Sequence, residues 1–129
     1  MAEALLREML PKEGGYNVES AGLGALTGYP ADKTARKLMQ RRGIDISGHS
    51  ARQLNSDLVH WADLVLVMEM SQKKALEVSE PSSRGRVYRL GEWGGFDVPD
   101  PYRQSEQAFE YAFELIDRGV SEWIPRLRR

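Results

Sequence analysis

Two short apolar runs, "DLVLVM" at 63–68 and "RVYRL" at 86–90, sit on either side of one helix-like segment, and they limit what this chain can become. The first is continuous rather than alternating, which is the pattern of a strand buried on both faces of a parallel sheet. Parallel strands need a crossover connection, and "SQKKALEVS" at 71–79 reads as a helix that supplies it, with Ser71 as its cap. Strand, helix, strand at this spacing predicts an α/β domain.

The flanking segments extend the alternation. "MAEALLREML" at 1–10 places Leu5, Leu6, Met9 and Leu10 at helical spacing, with no capping residue ahead of it. "YNVES" at 16–20 is β-prone, and a loop of glycines and small residues follows at 21–32. A helix is predicted over 31–43, with Asp32 near its start and Gly43 as its stop. An irregular connector leads to a short helix at 55–62, capped by Asn55 or Ser56. The last helix runs from about Ser105 to Leu127. Phe109, Phe113, Ile116, Val120, Trp123 and Leu127 form its core-facing stripe, and Pro125 is expected to end or distort its final turn. The predicted fold is an open parallel sheet flanked by helices. Residues 1–129 form a single domain, without repeat or linker.

Composition narrows the function. Lysine and arginine number 18 against 19 aspartates and glutamates, so no excess of positive charge marks a nucleic-acid surface. No apolar run is long enough to span a bilayer, and "MAEALLREML" lacks the basic segment and cleavage site of a signal peptide, which reads as a cytoplasmic protein. The sequence has no cysteine, which removes disulfides, thiolate metal sites and thiol nucleophiles. His49 and His60 are too far apart in sequence for a local helical metal pair, so no metal site is expected.

One loop stands out chemically. In "FDVPDPYRQ" at 96–104, Asp100 lies between Pro99 and Pro101. Each proline fixes its own φ and pushes the residue before it toward extended geometry, so Val98 and Asp100 are both constrained. The plain alternative is an ordinary Asp-Pro turn. In open α/β sheets, ligands bind beyond the carboxyl ends of the strands. The loop after "YNVES", Glu69 after "DLVLVM" and Asp100 after "RVYRL" all follow strands and should share one edge. The spacing of Gly22, Gly24 and Gly28 is one residue too long for a dinucleotide fingerprint and is better read as turning glycines. His49 in "GHSARQ" reads as a structural histidine, because no serine or threonine nucleophile with a matching acid is apparent.

Taken together, "MAEALL", "VESAGLGALTGYPAD", "RRGIDISGHSARQL", "ADLVLVMEMS" and "VPDPYRQS" resemble the low-molecular-weight protein-tyrosine phosphatases, in order and through nearly the whole chain. "VESAGLGAL" and "DPYR" are most similar to the bacterial subgroup that works opposite tyrosine kinases of capsule and exopolysaccharide export. The resemblance implies that Asp100 of the Asp-Pro-Tyr loop is a general acid. It protonates the leaving phenol while a cysteine thiolate attacks phosphorus, and then activates water against the phosphocysteine. It also implies that Tyr102 borders the entrance and stacks on a phosphotyrosine ring, that Leu26 walls the substrate cleft, and that Glu69 belongs to the acidic surroundings. No cofactor is implied; the partner is a phosphotyrosine protein, an autophosphorylating tyrosine kinase among the candidates.

The departure from the family is equally plain. Its members open with a hydrophobic strand and a Cys-x5-Arg phosphate loop ahead of a helix resembling "MAEALLREML", and this sequence starts at that helix. The first strand is therefore expected to be missing from inside the sheet, leaving an unpaired edge that a homodimer could repair. Met1 is expected to be an internal methionine of a longer gene product, or the chain to have been shortened. Without the loop, the 129 residues are expected to be inactive alone. The rival from another class is a non-catalytic phosphotyrosine- or protein-binding remnant of the same fold. An arsenate reductase of related fold needs several cysteines, which this sequence does not have.

Overall fold

The computed structural model describes residues 1–11, 14–22, 31–101 and 104–128. In chain order it contains α1 (Ala2–Met9), α2 (Lys33–Arg41), α3 (Ser56–Trp61), β1 (Val65–Val67), α4 (Met70–Ser79), β2 (Val87–Arg89) and α5 (Glu106–Leu127). The two strands pair in parallel, with Val65 opposite Val87 and Val67 opposite Arg89. The crossover between them is α4, as the sequence predicts.

Side chains alternate along the strands and divide the interior into two layers. Leu64, Leu66 and Met68 face the larger core, with Leu90 and Tyr88, while Val65, Val67 and Val87 face a smaller one. The larger core is filled by Leu5 and Leu10 from the α1 end, Leu38 and Met39 of α2, and the stripe Phe109, Ala112, Ile116, Val120 and Trp123 of α5. The smaller one is closed by Val59 of α3 and Leu76 of α4. Helices thus cover both faces of the sheet, which is the predicted α/β architecture. The β1 residues are half-buried rather than enclosed. Among the described residues β2 pairs along one edge of β1 and no strand pairs along the other.

Most helix ends obey local rules. Asp32 caps α2 by accepting the Thr34 N–H at 2.8 Å, and Asn55 caps α3 by accepting that of Leu58 at 2.9 Å. At the far end of α2, Gly43 adopts φ +75°. Its N–H reaches the Gln40 carbonyl while that of Ile44 reaches Met39, the paired bonds of a Schellman stop.

Three expectations are corrected. Residues 16–20 do not form a strand. Side chains hold them instead: Arg7 donates to the Val18 carbonyl at 2.5 Å and Arg52 to that of Ser20 at 3.3 Å, while Tyr16 Oη donates to the Leu127 carbonyl at 2.8 Å. The next residues make a single parallel bridge, Gly22 to Gln53. Helix α4 is capped by Glu69 rather than Ser71, through a reciprocal capping box with Gln72. Pro125 does not end α5, which continues to Leu127. In the last turn a proline removes only one intrahelical bond, and the burial of Ile124 holds the turn in place.

Candidate functional site

The carboxyl end of β1 opens onto a cleft of about 1170 Å³, lined there by Met68 and Glu69, and Asp100 lines it as well. The route of the chain to Asp100 begins at Leu90, whose N–H donates to the Val67 carbonyl at 2.7 Å. The following loop closes on itself where the Phe96 N–H meets the Gly91 carbonyl at 3.0 Å. A Cβ on Gly91 would stand 2.3 Å from the Phe96 carbonyl oxygen, so this closure requires glycine. The chain then returns to the sheet, where the Val98 N–H donates to the Met68 carbonyl at 2.9 Å. Val98 is 2% exposed, and a residue before proline is restricted toward extended geometry. Asp100 follows this anchor on the exposed side.

Behind Asp100 the chain is tied down again. Gln104 donates its side-chain amide to the Asp100 carbonyl at 3.3 Å and its backbone N–H to the Pro101 carbonyl at 2.9 Å. The Pro-Asp-Pro segment is therefore fastened by hydrogen bonds on both sides.

Glu69 and Gln72 also line the cleft, from the start of α4. The Gln72 side-chain oxygen accepts the N–H groups of Met68 and Glu69, both at 3.0 Å. Glu69, read from sequence as an acidic neighbour of the site, caps the helix start that lines the same cleft as Asp100. The other wall carries a chain of charges: His49 lies 3.6 Å from Glu3, Glu3 3.7 Å from Arg7, Arg7 3.9 Å from Glu19, and Glu19 2.5 Å from Arg52. His49 thus lies against a carboxylate. Tyr102 and Leu26, together with Gly24 and Gly28, lie outside the described residues.

Sequence reasoning did not single out two residues that precede the Asp100 loop, Arg89 and Asp97. Asp97 Oδ1 accepts from Arg89 Nη1 at 2.9 Å and from the Met70 N–H at 3.1 Å. Arg89 Nε also lies 3.7 Å from Glu92. The hydrogen bond from Arg89 holds the Asp97 carboxyl below the ordinary carboxylate range, and the same bond raises Arg89. Asp97 directly precedes "VPDP", but nothing in its spacing names Arg89 as its partner.

The site therefore offers an exposed carboxylate lining an open cleft, on the loop that follows β2. Among the described residues no group of three His, Asp or Glu side chains is placed to hold a metal ion, and no helix is long and apolar enough to cross a membrane.

Known proteins match this chain along nearly its whole length. The family model for low molecular weight phosphotyrosine protein phosphatase matches residues 1–129. The chain is 53% identical over 128 residues to the probable low molecular weight protein-tyrosine-phosphatase EpsP of Ralstonia nicotianae, covering 99% of this chain and 86% of EpsP. It is 38% identical over 127 residues to the low molecular weight protein-tyrosine-phosphatase Wzb of Escherichia coli, covering 98% of this chain and 84% of Wzb. Among solved structures, Vibrio vulnificus Wzb in complex with benzylphosphonate superposes with a TM-score of 0.89 at 38% identity, over 97% of this chain and 87% of that one. The chain belongs to the low molecular weight phosphotyrosine protein phosphatase family.

Proposed function

We propose that this chain carries the general-acid half of a protein-tyrosine phosphatase site, with Asp100 as the acid. The observation that supports this most directly is the double fastening of the Pro-Asp-Pro segment, at Val98–Met68 before Asp100 and at Gln104 after it, beside the cleft that Asp100 lines. A group that must first give a proton to a leaving phenolate and then take one from water needs a fixed position more than it needs burial. The nucleophile and the grip on the phosphoryl oxygens belong to a Cys-x5-Arg loop. The 129 residues contain no cysteine, so alone they do not turn over substrate through a cysteinyl-phosphate.

The names of the relatives support a substrate class. EpsP and Wzb are named as protein-tyrosine phosphatases, and the reading for this chain is a phosphotyrosine protein, with a tyrosine kinase of exopolysaccharide export as the specific candidate. On the family resemblance, Tyr102 is proposed to stack on the phosphotyrosine ring and Leu26 to wall the substrate cleft.

The test is phosphate release from a phosphotyrosine peptide, by the 129-residue chain alone and by the same chain joined to a strand and Cys-x5-Arg segment ahead of Met1. The expected result is no release from the first and release from the second. Release by the chain alone would overturn the cysteine route, and peptide binding without hydrolysis by the joined form would favour a binding remnant.

A further inference from the structure

We propose that Arg89 is a positioning residue for Asp100, acting through Asp97. The inference rests on the reading of Asp100 as the general acid and adds the device that aims it. Arg89 is the last residue of β2, and its side chain is only 16% exposed. An arginine withdrawn this far from water needs a partner, since an unpaired buried charge is strongly unfavourable. Asp97 is its hydrogen-bonded partner, at 2.9 Å, and Glu92 lies 3.7 Å from Arg89 Nε.

The pair joins three pieces of the site. One oxygen of Asp97 takes the Arg89 guanidinium from the end of β2 and the Met70 N–H from the start of α4. The Arg89 backbone is itself held, because its carbonyl accepts the Trp123 indole N–H from α5 at 3.2 Å. From Asp97 to Asp100 there are two intervening residues. Val98 is buried, bonded to Met68 and restricted by the proline after it, while Pro99 has a fixed φ. Few torsions remain between the ion pair and the acid, so displacement of Asp97 is passed on to Asp100. Neither Arg89 nor Asp97 lines the cleft, which separates this role from substrate contact.

Two measurements test this. The first needs no activity: amide hydrogen exchange in the 129-residue chain, with Arg89→Met, which keeps most of the packed stem and removes the donor. Exchange at Val98 should rise about tenfold or more, the equivalent of about 1.4 kcal/mol, while the Val120 amide of the core stays slow. Arg89→Lys, with its charge retained but on a single nitrogen, should fall between and serves if the methionine variant does not fold. Unchanged exchange at Val98, or a rise shared equally by Val120, would overturn the proposal.

The second measurement uses the chain joined to a Cys-x5-Arg segment and compares two substrates. Phosphotyrosine peptide has a leaving group that needs a proton, whereas p-nitrophenyl phosphate has one that leaves nearly unaided. Misplacing the acid should lower kcat/KM, which reports the step in which the leaving group departs and not the shared hydrolysis of the phosphocysteine, about 10- to 100-fold on the peptide and only about threefold or less on the activated ester. Equal loss on both substrates would mark a merely structural role and overturn the proposal. If the joined chain with Arg89 in place is itself inactive on both substrates, the phosphatase reading fails, and the exchange result alone decides whether Arg89 fixes the loop.

Discussion

The indole N–H of Trp123 donates to the main-chain carbonyl of Arg89 across 3.2 Å, fastening the C-terminal helix to the end of β2 where the loop toward Asp100 departs. The Trp123 ring also meets Tyr88 and Trp93 edge-on, at centroid distances of 5.7 and 5.3 Å. Trp123 is 5% exposed and belongs to the same stripe as Phe109, Ile116 and Val120. The long amphipathic helix thus does two things: it fills the core and it supports the base of the site.

Trp123→Phe should retain much of the packing and lose the hydrogen bond, for a destabilisation of about 1–2 kcal/mol. Trp123→Ala should cost about 3–5 kcal/mol, because a buried ring is removed with its partners left unfilled. Denaturant unfolding followed by circular dichroism gives both values; equal midpoints for the two variants would show that the ring is not packed as described.

Gly119 opposes two rules. In a helix interior, alanine is better than glycine by about 1 kcal/mol. Here, however, an added Cβ would lie 2.9 Å from both the Leu90 Cγ and the Leu90 carbonyl oxygen, so the strand end or the helix must shift. Overpacking of this kind costs about 1–3 kcal/mol and should win. Gly119→Ala is expected to lower the thermal midpoint, and a rise would show that the α5–Leu90 contact is looser than this.

At the start of α4, Gln72 accepts two backbone N–H groups, those of Met68 and Glu69. Gln72→Ala should cost about 1 kcal/mol, the usual value for a lost cap. It should also speed hydrogen exchange at Met68 and Glu69, with little change at the far end of the helix. Uniform change along α4 would contradict a local capping role.

The Asp97 carboxyl has its folded pKa below the unfolded value because Arg89 donates to its charged form. Its contribution to stability is therefore fully present above the unfolded value of about 3.9 and is lost as pH falls through the lower folded value. The side chain is 46% exposed, so solvent screening keeps that contribution small. Thermal midpoints taken from pH 6 to pH 2 should fall more steeply for the unaltered chain than for Asp97→Asn. Parallel curves would show that the pair contributes nothing measurable to folding.

Signals confined to one segment were legible in the sequence. The strands at 65–67 and 87–89, the caps Asp32 and Asn55, the Gly43 stop and the α5 stripe follow from spacing and local hydrogen-bonding chemistry alone. The rest depends on partners distant in the chain. The β-prone 16–20 segment has no ladder among the described residues, and Arg7 and Arg52 satisfy two of its carbonyls instead. Ser71 has the chemistry expected of a cap, yet Glu69 takes that position because Gln72 stands three residues on to complete the box. Asp100 could be singled out because its two prolines are its sequence neighbours. Arg89 and Asp97 could not, because an ion pair across a loop has no sequence period.

The most direct test of the central claim is Asp100→Asn in the chain joined to a Cys-x5-Arg segment, with kcat measured on a phosphotyrosine peptide near pH 6. Asparagine keeps the shape of the side chain and the Pro-Asp-Pro backbone, but it can neither give nor take the catalytic proton. A fall in kcat of about 100- to 10,000-fold with an unchanged fold is the predicted result. A kcat within about threefold of the unaltered protein would show that Asp100 is held in place for some other purpose and that another group supplies the proton.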